Sequence, residues 1–333
     1  MTSTSRITSS LWQRWTGASP APKRSTSSPR RAALDRSQAA DTDFQASTLR
    51  LGLDEEPRME LAGPTSDERH VGDEGRPLLR ALSMGQFELY YQAQFDCVSR
   101  QLIGVEALLR WQHPVHGLRL PGEFIGAAER SGAILQLDAW ALRTACHQMR
   151  QWLDLDIAPP LMAVNVSAAQ FARPDLVDFV AEVLRETGLA ADRLELEIVE
   201  RALLDPVRAA PTMRRLRAMG VRLAIDDFGT GYSSLGYLSR YPVNRLKIDR
   251  CFVARMGRDR TSVAITDAVV ALGLSLGLDV VAEGVETEDQ LEHLRLHLCP
   301  AAQGWLFGQP QPAANFAQLL RRERPGRGGI KQA

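Results

Sequence analysis

The chain has 333 residues, 44% of them hydrophobic and 24% charged, with 40 basic residues balanced by 40 acidic ones. That is the composition of a globular protein with a sizeable core, and zero net charge excludes a chain-wide field for holding a nucleic-acid polymer or an anionic membrane. Cys97, Cys146, Cys251 and Cys299 are far apart, with no C-x-x-C pair and no His at finger spacing, so neither a disulfide framework nor a structural zinc finger is suggested.

The chain opens on a Ser/Thr/Pro-rich segment to Leu34 that contains Arg6, Arg14, Lys23, Arg24, Arg30 and Arg31 and no acid. From Asp35 to Gly75 the sign reverses, with Asp54, Glu55, Glu56, Glu60, Asp67, Glu68, Asp73 and Glu74. Neither half repeats apolar residues at a period of 2 or 3.6, so neither buries enough surface to offset chain entropy of about 1–2 kcal/mol per residue. Residues 1–75 read as a disordered tail, either a solvated leader or a contact for an unknown partner anchored by Trp12 and Trp15. No apolar h-region stands at the start, and the longest uncharged apolar stretch, between Asp267 and Asp279, is shorter than the ~20 residues of a membrane span. A cytoplasmic protein is expected.

From Arg76 to Arg321 short β-branched or alternating runs alternate with helical stretches, the pattern of an α/β domain with a mainly parallel sheet. Eight strands are predicted: Glu88–Asp96, Ile103–Trp111, Met162–Ser167, Leu194–Glu200, Arg222–Phe228, Arg245–Asp249, Asp279–Val285 and Ala301–Phe307. Helices are predicted at Ile134–Trp152, Pro174–Thr187, Pro206–Met219, Thr261–Leu276 and Glu288–Leu296. Only a short polar turn around Val98–Gln101 separates the first two strands, too short for a parallel crossover, which makes the first strand antiparallel to the second. The expected architecture is a modified TIM (β/α)₈ barrel over 76–321, followed by a flexible basic tail over 322–333.

Polar residues mark the ends of these strands. They are Glu106 in "VEALLRW", Asn165 in "VNVS", Glu197 and Glu200 in "LEIVE", Asp226 and Asp227 in "AIDDFGTG", Lys247 and Asp249 in "LKID", Glu283 and Glu286 in "AEGVE", and Gln303 in "AQGW". A barrel converges all of them on the rim where active sites are built. One acid alone is more often a buried ion pair or a strand-end cap, but acids on five strands are not explained that way. Two carboxylates about 4 Å apart repel by about 4 kcal/mol at an effective dielectric near 20, so the cluster needs cations or raised pKa values. With carboxylates, one Asn and no His or Cys, the donor set selects Mg²⁺ or Mn²⁺ over zinc or copper. Adjacent Asp226 and Asp227 both reach a site only if their strand ends or bulges there, and a carboxylate bridging two metals is suited to phosphodiester chemistry. The glycines of "FGTGYSSL" then begin a gating or partner-contact loop. Lys247, between apolar Leu246 and Ile248, is either a charge partner for Asp249 or Glu283 or an orienter of water beside the metals.

In this order over 76–321, "EALLRW", "NVS", "LEIVE", "DDFGTGYSSL", "LKID", "VVAEGVE" and "QGWLFGQP" resemble the EAL-domain family of bacterial cyclic di-GMP phosphodiesterases. The resemblance implies a barrel that hydrolyses cyclic di-GMP to linear pGpG with two Mg²⁺ or Mn²⁺ ions. By that resemblance Glu106, Asn165, Glu197 and Asp226 match first-metal ligands and Asp227 a second-metal ligand. Lys247 and Glu283 match the catalytic pair at the water, and Gln303 the glutamine beside it. Gln92 and Arg110 match substrate contacts, while Glu200, with Glu286, matches the acids that anchor the "DDFGTG" loop. The resemblance also implies a homodimer through the loop and helix after Asp227. Ala93, Val199 and Trp305 depart from the family's usual Pro, Thr and Tyr. A catalytically weak module that serves as a cyclic di-GMP receptor or partner-binding regulator is the alternative.

Overall fold

The computed structural model describes residues 66–203, 205–230, 238 and 240–323. The expectations for residues 1–65, for most of the loop after Thr230 with its self-association surface, and for the tail beyond 323 lie outside the described residues.

Eight strands close a barrel: β1 (Phe87–Asp96), β2 (Leu102–His113), β4 (Met162–Val166), β5 (Leu194–Val199), β6 (Arg222–Phe228), β7 (Arg245–Ile248), β8 (Asp279–Ala282) and β9 (Ala301–Ala302). From β2 to β9 each strand pairs in parallel with the next. β1 closes the cylinder antiparallel to both β2 and β9. All eight predicted strands are therefore present, and the first has the predicted direction. Two short additions were not anticipated: β3 (Gly117–Arg119), folded back on β2, and β10 (Gln311–Pro312), on the edge of β1.

The last two strands are shorter than the apolar text predicts. Beyond Ala282 the chain turns at Gly284, at φ +71°, and crosses to its neighbour, where the Val285 N–H donates to the Gln303 carbonyl and the Leu306 N–H to that of Val285. This crossing requires Gly304, because a Cβ there would lie 2.1 Å from the Val285 carbonyl oxygen. The close approach fixes Gln303 against the end of β8.

Among the described residues, eight longer helices surround the barrel: α1 (Ser66–Ser83), α2 (Ile125–Ser131), α3 (Ile134–Asp154), α4 (Leu176–Thr187), α5 (Pro206–Ala218), α6 (Arg260–Ser275), α7 (Glu288–Leu296) and α8 (Ala313–Arg322). α3 shows why these segments coil. Ile134, Leu137, Ala141, Leu142, Ala145, Met149 and Trp152 recur on one buried face, and Trp152 meets Tyr91 of β1 edge to face at 4.8 Å. α7 begins with a capping box in which the Thr287 hydroxyl accepts from the Gln290 N–H and the Gln290 side chain accepts from the Thr287 N–H. α1 begins upstream of the boundary that composition placed at 75. It packs Leu78 and Ala81 on Phe87, Trp111 and Phe124, and an ion pair of 2.8 Å joins Glu74 to Arg130. Among the described residues, no helix is long and apolar enough to cross a membrane.

Strand alternation fills the barrel interior with two polar layers. Gln92 and Gln94, Glu195 and Glu197, and Arg245 and Lys247 are pairs two residues apart, so each strand sends both members inward. In the lower layer Arg245 Nη1 donates to Glu195 Oε1 at 2.6 Å and to Gln94 Oε1 at 3.3 Å. Arg222 extends this ionic chain by contacting Glu195 at 3.4 Å and Asp279 at 2.8 Å. Gly104 makes room, since a Cβ there would approach Gln94 Oε1 to 2.9 Å. Replacing Glu195 by Ala leaves the buried Arg245 guanidinium only Gln94 and the more distant Asp279 carboxylate at 3.8 Å, and is expected to cost about 3 kcal/mol in urea unfolding. A loss below about 1 kcal/mol would mean that the arginine is not dependent on this partner.

Candidate active site

The upper layer lies at the C-terminal ends of the parallel strands. Its centre is Lys247, which is buried on β7 with its Nζ 2.6 Å from Glu283, 2.7 Å from Glu197, 3.1 Å from Asp226 and 3.6 Å from Glu106. Four carboxylates from β2, β5, β6 and the end of β8 thus surround one ammonium. Amides complete the ring. Asn165 Nδ2 donates to Glu106 Oε1 at 2.7 Å, and Gln303 Nε2 donates to Glu106 Oε2 at 2.6 Å and to Gln92 Oε1 at 3.0 Å.

Burial disfavours the lysine's charge, but Asp226, Glu106, Glu197 and Glu283 outweigh it and hold the ammonium well above its ordinary range. Burial also opposes charge at Glu106, where Lys247 and the amides of Gln303 and Asn165 prevail and keep its carboxyl low. The remaining acids are less well served. Burial and the charge of Glu106 push Glu197 well up, and burial with Asp226 and Glu106 nearby pushes Glu283 up to about 8.

Asp226 and Asp227 share the site through a backbone irregularity. The register of β6 on β7 slips between Ile225 and Phe228, and Asp227 adopts φ +55°, a left-handed conformation that Asp tolerates better than most residues. Asp226 Oδ1 accepts the Asp227 N–H at 3.0 Å. Burial, the charge of Asp226 and a hydrogen bond shared with Asp249 raise Asp227 to about 7. Thr230 closes the turn by donating its hydroxyl to the Asp227 carbonyl at 2.8 Å, and Glu200 Oε2 accepts the Gly229 N–H at 3.1 Å.

Above the acids is a cleft of about 930 Å³, whose walls include Tyr90, Arg110, Leu118, Leu120, Arg250 and Trp305. Arg110 lies over the Tyr90 ring at 5.5 Å, and Trp305 exposes its indole at the rim. Gln92 is occupied by the protein at both ends, since its Nε2 donates to the Gly308 carbonyl at 3.1 Å while its Oε1 accepts from Gln303. Glu286 also lines the cleft, and none of its hydrogen bonds among the described residues reaches the Asp227–Thr230 turn.

The fold brings Gln92, Glu106, Arg110, Asn165, Glu197, Asp226, Asp227, Lys247, Glu283 and Gln303 to one end of the barrel. Sequence reading did not single out Asp249 as the partner of Asp227, nor the Gln94–Glu195–Arg245 layer beneath. The alternation in "LELE", "RLK" and "QAQ" carries that second signal, because residues two apart on a barrel strand share the interior.

The donor set fits hard divalent cations. It is made of oxygen atoms, it holds more carboxylate charge than Lys247 neutralises, and the buried Glu197 Oε1 has no hydrogen-bond partner in the protein.

Comparison with known proteins identifies the family. Over 237 residues the chain is 48% identical to the bifunctional diguanylate cyclase/cyclic di-GMP phosphodiesterase MucR of Pseudomonas aeruginosa, covering 71% of this chain and 35% of that protein. It is 44% identical over 248 residues to the cyclic di-GMP phosphodiesterase NbdA of the same organism, covering 74% of this chain and 32% of that protein. The chain therefore spans about a third of the length of these curated relatives. The solved structure of PaMucR phosphodiesterase in its c-di-GMP complex aligns with a TM-score of 0.71 at 46% identity, over 73% of this chain and 99% of that one. The EAL domain family matches residues 76–310, and the chain belongs to that family.

Proposed function

We propose that this chain is a phosphodiesterase that hydrolyses cyclic di-GMP to linear pGpG. The observation that carries the reading is the buried Lys247 among four carboxylates at the mouth of the barrel, beneath a cleft. In this reading Glu106, Asn165, Glu197 and Asp226 hold one Mg²⁺ or Mn²⁺ ion and Asp227 helps hold a second. Such cations, when bound, supply positive charge to phosphoryl oxygens and acidify water.

The chain's own groups do the rest. Lys247 and Glu283, 2.6 Å apart, position the attacking water; Glu283, whose raised pKa bound cations would bring down, takes the water's proton as the water oxygen bonds to phosphorus, one ester P–O bond breaks and the departing ribose oxygen takes a proton from solvent. Gln303 holds Glu106 in place on one side and faces the same water on the other. Arg110 meets the substrate's phosphate charge, while Gln92, bound at both ends, acts by fixing Gln303. The Trp305 indole offers a guanine an apolar surface at the rim. Glu200, through Gly229, keeps the turn that aims Asp227.

The direct test is hydrolysis of cyclic di-GMP by the purified chain with Mg²⁺ or Mn²⁺. Release of pGpG that EDTA and Glu106→Ala abolish is expected, and Asp227→Asn should lower turnover by at least about 10²-fold with the fold intact. Unchanged turnover in Asp227→Asn removes that residue from the mechanism. Tight binding without turnover makes the chain a receptor.

Stability should also depend on pH and cation. A carboxyl whose pKa is raised by folding retains in the native state a proton that the unfolded chain releases, so its contribution is present below its ordinary pKa and is lost as pH rises towards its folded value. For Asp227 and Glu283 that loss extends to pH about 7 and about 8. Metal-free protein is expected to melt at least about 3 °C lower near pH 8 than near pH 5.5, and Mg²⁺ to recover more of the loss at the higher pH. A metal-free melting temperature that rises over this interval would contradict the charge imbalance.

A further inference from the structure

On the outside of the barrel, two helices bring together a second and chemically different set of donors. Asp267 lies on α6, His293 on α7, and His297 is the C-terminal cap of α7. Two imidazoles four residues apart share one face of a helix and meet a carboxylate from its neighbour. His293 Nε2 is 2.8 Å from Asp267 Oδ1, and His297 Nε2 is 3.6 Å from Asp267 Oδ2. The rings stack with centroids 4.0 Å apart and planes at 20°, and one donor atom from each residue lies within 4.8 Å of the others.

The orientation of His297 is informative. Its Nδ1 is 2.8 Å from the His293 carbonyl oxygen, which can only accept, so Nδ1 carries the proton. In the neutral ring Nε2 then points a lone pair towards the Asp267 carboxylate. Two acceptors 3.6 Å apart are joined by a species that both can bind, whether a bridging water, a proton or a metal ion. Histidines that bind metals have this arrangement, with the distal N–H fixed by a carbonyl and the other nitrogen presented for ligation.

We propose that Asp267, His293 and His297 form a Zn²⁺ site. Two imidazole nitrogens and one carboxylate oxygen suit Zn²⁺ and not Mg²⁺ or Ca²⁺, the reverse of the preference of the all-oxygen set inside the barrel. Tetrahedral Zn²⁺ with bonds of about 2.0–2.2 Å spaces its ligands about 3.3 Å apart; the two contacts to Asp267, 2.8 and 3.6 Å, bracket that value, and the stacked imidazoles must turn out of their near-parallel planes for both Nε2 lone pairs to converge on one ion. Side-chain exposures of 27%, 28% and 43% give the ion access from solvent and leave a fourth position for water. On binding, His293 ligates as its Nδ1–H tautomer: the hydrogen that Nε2 shares with Asp267 exchanges through solvent to Nδ1, and Zn²⁺ takes its place. The ion would join α6 to α7, the helices that follow β7 with Lys247 and β8 with Glu283 at its end.

The experiment is a titration of the full chain with ZnCl₂ in saturating Mg²⁺, read by calorimetry and by melting temperature. Wild type is expected to take up one equivalent of Zn²⁺ more than the His293→Gln/His297→Gln variant and to gain thermal stability that the variant does not. His297→Gln alone, at the most exposed ligand, should weaken binding by at least about tenfold without changing the melting temperature in Mg²⁺ alone, which guards against misfolding of the double variant. Equal Zn²⁺ uptake by wild type and both variants would overturn the assignment. So would a wild-type melting temperature that Zn²⁺ does not raise.

Discussion

The structure depends on one charge constraint: a single ammonium, Lys247, buried within reach of four carboxylates. At an effective dielectric near 20, each close pair of like charges costs about 4 kcal/mol, so a fold with this cluster must hold its acids apart, share protons among them or receive cations. The strands do the first of these. Each acid comes from a different strand or strand end, and the amides of Asn165 and Gln303 hold Glu106 from both sides. Four carboxylates face one ammonium, and burial first, with the neighbouring acids second, pushes the carboxyls of Glu197, Glu283 and Asp227 up.

Backbone irregularities place the groups that regular strands would misdirect. An unbroken β6 would send Asp226 and Asp227 to opposite faces. The slip before Phe228 and the left-handed conformation of Asp227 keep the second carboxylate at the mouth, where Glu200 stabilises the turn through the Gly229 N–H. Gly304 does comparable service for Gln303, because only a residue without Cβ allows the chain to cross so close to Val285.

Much of this was legible in the sequence. Strand runs bounded by turn residues predicted all eight barrel strands, and the four-residue gap at Val98–Gln101 predicted the reversed first one. The clustering of acids at strand ends, and the resemblance over 76–321, pointed to the residues that the fold assembles around Lys247. Boundaries were harder. Apolar text continues through Val285 and Leu306, yet both leave the regular ladder at a glycine crossing whose geometry is set by tertiary contact. The lower ionic layer was written in the alternation of "LELE" and "RLK". It went unread because a buried Glu195–Arg245 pair fifty positions apart has no local signature, only a parity shared with the residues above it.

That lower layer also decides the traffic through the molecule. Arg245, Glu195 and Gln94 span the interior below the acids, and Arg222 with Asp279 continues the obstruction towards the opposite end. The cylinder is a cup and not a tube. Anything transformed at its floor departs through the opening by which its precursor arrived, so release and the next entry compete for one passage. Under the proposed function, groups lining that opening, Trp305 and Arg110 among them, would meet the outgoing species as much as the incoming one.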